Sequence, residues 1–148
     1  MLNGWAKDPT NTMSPEKLFG DYIIFYNQCF SKVLADMHIC MHICCGNYVN
    51  SRWVAEGGYD RIAVMLLQQL NINALYLEYD TPNAGDFKPL MHLPKDRNLI
   101  LGVVSTKSPQ LEDLTEFKER VFNTAKFVAE GNDQTPEEAL KRLGVSPH

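Results

Sequence analysis

A chain of 148 residues and 16.8 kDa has material for one ordinary domain and too little for two. At 45% hydrophobic and 22% charged it is composed like a globular protein, which excludes a disordered or fibrous class. A net charge of −4, with no dense Lys/Arg run, leaves nothing to track a phosphate backbone, so nucleic acid is excluded as a partner. No apolar run approaches the ~20 residues of a membrane span, and the polar start "MLNGWAKDPTN" lacks the layout of a signal peptide, so a cytoplasmic protein is expected. The cysteines, Cys29, Cys40, Cys44 and Cys45, are crowded in a way that favours thiol or metal chemistry over a disulfide framework.

In chain order, residues 14–35 carry Leu18, Phe19, Tyr22, Ile23, Tyr26 and Phe30 at helical spacing, behind Ser14 as N-cap and Pro15 in the first turn. A short dense segment over 37–44 reads as a strand, as do the aliphatic runs "ALYLEYD" (74–80) and "NLILGVVST" (98–106). Between them, "YDRIAVMLLQQL" (59–70) gathers Ile62, Ala63, Leu66, Leu67 and Leu70 on one helical face. The stretch 111–130 does the same with Leu114, Phe117, Val121, Ala125 and Val128. A last helix begins in a capping box of Thr135 and Glu138, with Pro136 at its first position and Gly144 as its stop. "VSPH" then opens a further strand. Helices alternating with buried strands imply right-handed crossovers and a parallel sheet. Two long loops, 45–58 and 81–89, leave carboxyl ends of strands, the edge on which parallel α/β folds build their sites.

The stretch "DMHICMHICCGN" sets His38, Cys40, His42 and Cys44 at every other position. On a strand such residues share one face about 6.6 Å apart, so one zinc ion, with bonds of about 2.0–2.3 Å, spans only a neighbouring pair. The pair 42/44 opens into the long loop, where solvent and substrate enter. Cysteine and histidine also serve as plain fillers of an apolar strand, and spacing alone leaves that reading open. Glu78, behind Leu75 and Leu77, is an acid expected to face the core, where it needs a partner, either a zinc ion shared with His42 and Cys44 or a strand-end arginine. Asp80 lies on the same side, further into the loop.

Taken together, "MHICCGNYVNSRWVAEGGYDRIA", "LYLEYDTPNAGDFKPL", "LILGVVSTKSPQLED" and "GVSPH" resemble the carboxyl-terminal catalytic domain of cobalamin-independent methionine synthases, and more closely the shorter methionine-synthase-like, zinc-dependent proteins of that superfamily. The resemblance runs nearly the length of the chain. It implies an α/β fold, a TIM-type barrel of which residues 1–148 supply only the later half, since a full barrel needs about 250 residues.

By that resemblance zinc is held by His42, Cys44 and Glu78, while His38 and Cys40 are packing residues. The family's second cysteine falls just beyond Ser146, Pro147 and His148. Cys45 and Asn83 stand where relatives carry arginine, and Lys107 stands where methionine synthases carry a proton-handling histidine, which marks it as the catalytic candidate. Asn47 and Asp80 are the candidate substrate contacts. The implied function is zinc-dependent S-methyl transfer from 5-methyltetrahydropteroyl glutamate to homocysteine, giving methionine, or a related zinc-thiolate alkyl transfer. The alternative is a truncated or degenerate relative without catalysis that at most binds zinc. The implied partners are homocysteine or another small thiol and a methylated folate, with self-association open to any unpaired sheet edge.

Overall fold

The structure, a computed structural model, describes residues 7–46 and 57–147. Helix α1 spans Pro15–Phe30, and Ser14 caps it by accepting the Lys17 N–H. Strand β1 spans Cys40–Ile43, β2 Ala74–Glu78 and β3 Asn98–Val104. Helix α2 (Leu114–Glu130) starts at Asp113, whose carboxylate accepts the N–H groups of Thr115 and Glu116. The short helix α3 (Pro136–Leu140) carries the expected capping box of Thr135 and Glu138, and β4 spans Leu143–Pro147. The four strands form one sheet in the order β1-β2-β3-β4, every neighbouring pair parallel. This is an α/β fold, and the open run of four strands is as far as the described residues take the expected barrel.

Alternation along the strands divides the sheet into two faces. Leu75, Leu77, Leu99 and Leu101 point to one side and are fully enclosed, with Met41 and Ile43 of β1 packed half-buried against that core. Leu66, Leu67 and Leu70 meet them from the segment before β2, joined by Ala125 and Val128 of α2 and by Leu90 and Leu93. The other face carries Cys40 and His42, then Tyr76 and Glu78, then Ile100, with Gly144 opposite Ile100. A Cβ on Gly144 would stand 2.9 Å from Ile100 Cδ1. Gly144 is therefore a strand residue chosen for space. It does not stop the preceding helix, which ends at Leu140.

The helix expected over 59–70 is present only in part. After a turn at 59–62 the chain winds into a π-helix, Met65–Gln69, which places Leu66 and Leu67, with Leu70 just after it, in the core at 1% exposure or less. Its outgoing carbonyls are met by Arg97, which donates to the Leu67 and Gln68 oxygens at 2.8 and 3.3 Å. From α1, Asn27 donates to the Gln69 carbonyl at 2.7 Å. Among the described residues no helix is long and apolar enough to cross a membrane.

Chain crossings are tight at the end of α2. Gly131 is in an ordinary right-handed conformation, but a Cβ built there would lie 1.7 Å from the carbonyl oxygen of Met91. The chain passes Met91 so closely that only a hydrogen fits. Gly131→Ala is therefore expected to lower stability by about 2–3 kcal/mol, read as a drop in the urea midpoint with an unchanged slope.

Candidate functional site

Parallel pairing sets His42 opposite Tyr76 and Ile43 opposite Leu77. One step further along, Cys44 comes beside Glu78, on the face that carries His42. Glu78 thus points away from the leucine side of β2, contrary to the expectation that it faces that core. It is nonetheless only 1% exposed. Backbone and side chains from three strand ends enclose it. The Cys45 N–H, just past β1, donates to Glu78 Oε2 at 2.7 Å. Lys107, from the loop after β3, donates its ammonium to Glu78 Oε1 at 3.2 Å and to Asp80 Oδ2 at 3.1 Å. Lys107, 29 residues away, is thus one partner of the kind that Glu78 requires.

The three charged side chains are closed off from water, with 5% of Lys107, 1% of Glu78 and none of Asp80 exposed. Burial alone would lower the Lys107 pKa, but the hydrogen bonds and charges of Asp80 and Glu78 outweigh it and hold the group above its ordinary value. Lys107 is an ammonium ion at neutral pH. Ser105 steadies the arrangement, donating through Oγ to Asp80 Oδ2 at 2.9 Å while accepting the Lys107 backbone N–H at 3.2 Å. The Ser105 N–H is in turn held by Glu112 Oε1 at 2.6 Å. Asp80 Oδ1 is buried with no hydrogen-bond partner among the described residues.

Tyr59 is a residue of the site's framework that the sequence reading missed. Its hydroxyl accepts the Glu78 N–H at 3.0 Å and lies 3.2 Å from the Glu78 carbonyl and 3.3 Å from the Ile43 carbonyl, the two acceptors for its one proton. Parallel strands diverge where their ladder ends, and this phenol bridges the gap between the residue before Cys44 and Glu78 itself. Burial pushes the Tyr59 pKa far up, so the bridge stays a neutral hydroxyl. The ring packs on Tyr79 at 5.2 Å between centroids, and Tyr79 on Phe87 at 4.9 Å. Nothing in "EGGYDRIA" announces this role, because the partners lie on strands that only the fold brings near.

The structure gathers Glu78, Asp80 and Lys107, and sets Cys44 at the matching position of the neighbouring strand. His42 and Cys44 are exposed on the site face. The reading of His38 and Cys40 as packing residues is corrected, since both are exposed while the intervening Ile39, Met41 and Ile43 pack against the core. The reason is the alternation itself: one face of β1 belongs to the aliphatic set, and the His/Cys set takes the other. Cys45 is partly buried, and burial together with the charge of Glu78 pushes its thiol up, so it is protonated at neutral pH and a poor ligand. Asn47 and His148 lie outside the described residues. Among the described residues no three His, Cys, Asp or Glu side chains are gathered closely enough to hold one ion. The residues that offer suitable donors are His42, Cys44 and Glu78.

No family model matches the chain. Two uncharacterized proteins of Bacillus subtilis (strain 168), YxjH and YxjG, are 42% and 40% identical to it over 95 residues. That alignment takes in 64% of this chain and 25% of each relative, so the chain spans about a quarter of the length of these relatives. The crystal structure of a candidate vitamin-B12-independent methionine synthase from Listeria monocytogenes superposes over 99% of this chain and 38% of that one, with a TM-score of 0.64 and 25% identity.

Two outcomes follow from the geometry. Tyr59→Phe leaves the buried Glu78 N–H without its acceptor and is expected to cost about 1–3 kcal/mol in chemical denaturation. For Lys107 the folded pKa lies above the ordinary 10.5, so its ion pairing contributes fully below that value and is lost as pH rises through the folded pKa. The stability difference between parent and Lys107→Met should therefore be flat near neutral pH and shrink in alkaline melts above 10.5.

Proposed function

We propose that the chain carries the zinc-binding strand ends of a methionine-synthase-like S-methyltransferase, one that moves the methyl group of a 5-methyltetrahydropteroyl glutamate to homocysteine, or performs a related zinc-thiolate alkyl transfer. The observation that carries this reading is the buried carboxylate of Glu78, set beside Cys44 at the carboxyl ends of two parallel strands and already facing a cation, the ammonium of Lys107. The superposition on the Listeria monocytogenes protein supports the same class.

The residues suit the metal in chemical kind, although among the described residues no three of them are gathered closely enough to hold one ion. An imidazole, a thiol and a carboxylate stand on one face of two neighbouring strands, a donor set suited to zinc. The ammonium against Glu78 marks where positive charge is accepted, with the Cys45 N–H holding the far oxygen in orientation. His42, Cys44 and Glu78 would hold the ion. Zinc, when bound, supplies the charge that keeps a substrate thiol as thiolate at neutral pH.

The chain's own groups account for the rest. Lys107, protonated and anchored on Asp80, can donate a hydrogen bond or a proton to a substrate but has none to accept, so its role is acid or anchor rather than base. Asp80 holds that ammonium in place and, through Ser105, ties it to the loop after β3. Asn47 and Asp80 are the proposed substrate contacts. The enclosed trio keeps water from the carboxylates, which strengthens each of these electrostatic contacts.

Zinc titration of the purified chain tests the reading. One ion per chain is expected, with affinity falling at least about tenfold in Cys44→Ser and Glu78→Gln, and His42→Ala weakened in the same direction. His38→Ala, at an exposed position before β1, should leave both zinc affinity and melting temperature unchanged. A parent chain without zinc affinity, or a loss confined to His38→Ala, would overturn the proposal.

A further inference from the structure

We propose that the two open edges of the sheet form an interface between copies of this chain: β1 of one copy pairs with β4 of a second, twice over, so that two four-stranded sheets close into one eight-stranded parallel barrel. The proposal is independent of the metal reading. Among the described residues β1 and β4 are the outer strands, each paired on one side only. A strand edge that stands alone is ordinarily guarded by lysine, proline or a bulge. The run "MHICMHI" over 37–43 has no Asp, Glu, Lys, Arg or Pro. Its bonding to the β2 side already reaches back to Ile39, whose carbonyl accepts the Asn73 N–H at 2.8 Å. All-parallel sheets are covered on both faces, yet Cys40 and His42 lie exposed on the inner face of β1.

The side chains on the two edges match in kind. On β1, Met41 and Ile43 pack toward the helix side together with Ile39 before it, and Met37 continues the alternation at 51% exposure. Val33, Leu34 and Met37, all exposed, line a shallow groove with Ile39. On β4 the register with β3, Leu99 opposite Leu143 and Leu101 opposite Val145, puts Leu143 and Val145 on that same helix side, and Val145 is 48% exposed. Helix α1 leaves room beside the free edge of β1. Asn27 ties the helix to the segment before β2, donating to the Gln69 carbonyl and accepting the Asn71 N–H, both at 2.7 Å. A cavity of about 710 Å³ is lined by Phe19, Tyr22 and Tyr26 of the helix and by Met41 and Ile43 of the strand.

Closure fixes the register. One step beyond the paired residues of β1, Cys44 is level with Glu78, Glu78 with Gly102, and Gly102 with Ser146. A parallel barrel of eight strands has a shear of about eight, so a line drawn across the strands in chain order returns displaced by about eight residues toward the strand starts, or about four for each copy. Ser146 of one copy then stands beside Cys40 of the second, Val145 beside Ile39, and Leu143 beside Met37. The half-exposed valine of one edge and the half-exposed methionine of the other are covered by the same seam, and the two strands bring no Asp, Glu, Lys or Arg into it. A twofold axis along the barrel keeps every strand parallel, makes the seam twice and leaves no edge open. A strand of another protein laid on β1 would leave β4 bare, so the geometry favours a second copy.

Light scattering behind size exclusion tests this on the purified chain, with circular dichroism of each variant. The parent is expected at twice the 16.8 kDa of one chain. Val145→Lys and Met37→Lys, both at positions already half-exposed in the single chain, should run as single chains at the concentration where the parent is a dimer, with unchanged dichroism. Leu111→Lys, at a 94% exposed position in the loop after β3, should remain a dimer. Mild oxidation of Ser146→Cys should give a disulfide-linked dimer that the parent does not form and that Cys40→Ser abolishes. A folded parent that stays a single chain at its highest soluble concentration would overturn the proposal and leave the edges to a different chain. So would a dimer indifferent to both edge lysines, a mass that keeps growing beyond two chains, or a Ser146→Cys chain that links only through position 146 of both copies. Should a lysine variant fail to fold, the cross-link that depends on Cys40 decides alone.

Discussion

A carboxylate sealed from water at the end of a central strand has to be met by positive charge or by hydrogen-bond donors, and in this chain that requirement falls on Glu78. Two separate stretches answer it, the amide of Cys45 past β1 and the ammonium of Lys107 beyond β3, while a third, carrying the phenol of Tyr59, grips the Glu78 backbone. These contacts are of long sequence range, and each draws a loop onto the carboxyl edge of the sheet. The same contacts that solve an electrostatic problem therefore assemble the site. Asp80 extends the arrangement by sharing the ammonium and passing the connection on to Ser105 and Glu112.

The division of the sheet into two faces makes this arrangement possible. The leucines of β2 and β3 claim the side covered by α2 and by the segment before β2, so every second residue is released to the opposite side. On β1 the released residues are the histidines and cysteines, and on β2 they are Tyr76 and Glu78. Polar chemistry is thereby kept out of the aliphatic core without any sacrifice of packing. Glycine at 144 and at 131 makes room for close neighbours, the first for Ile100 and the second for the Met91 backbone.

Most of the strands and helices could be read from the chain. Aliphatic runs mark β2 and β3, Ser14 and the Thr135/Glu138 box mark helix starts, and alternation sets Cys40 and His42 of β1 on one face. Local pattern went astray where tertiary packing overrode it. Gly144, a reasonable helix stop, is drawn into β4 by pairing with β3, and the apolar stretch before β2 relaxes into a π-helix that buries Leu66 and Leu67. The side of β2 on which Glu78 lies also follows from alternation, and the leucines at 75 and 77 set it opposite to themselves.

By its own pattern, then, the sequence determined the periodicities: which residues share a face, which helices start where, and that an acid at 78 stands at a strand end near a His/Cys pair. Only the tertiary structure decided what that acid meets. Lys107 is 29 residues from Glu78 and Tyr59 is 19, and no local spacing encodes a contact across such distances. Parallel strands need a crossover between each pair, so residues at one carboxyl edge are always far apart in the chain, and their meeting is a property of the packed sheet.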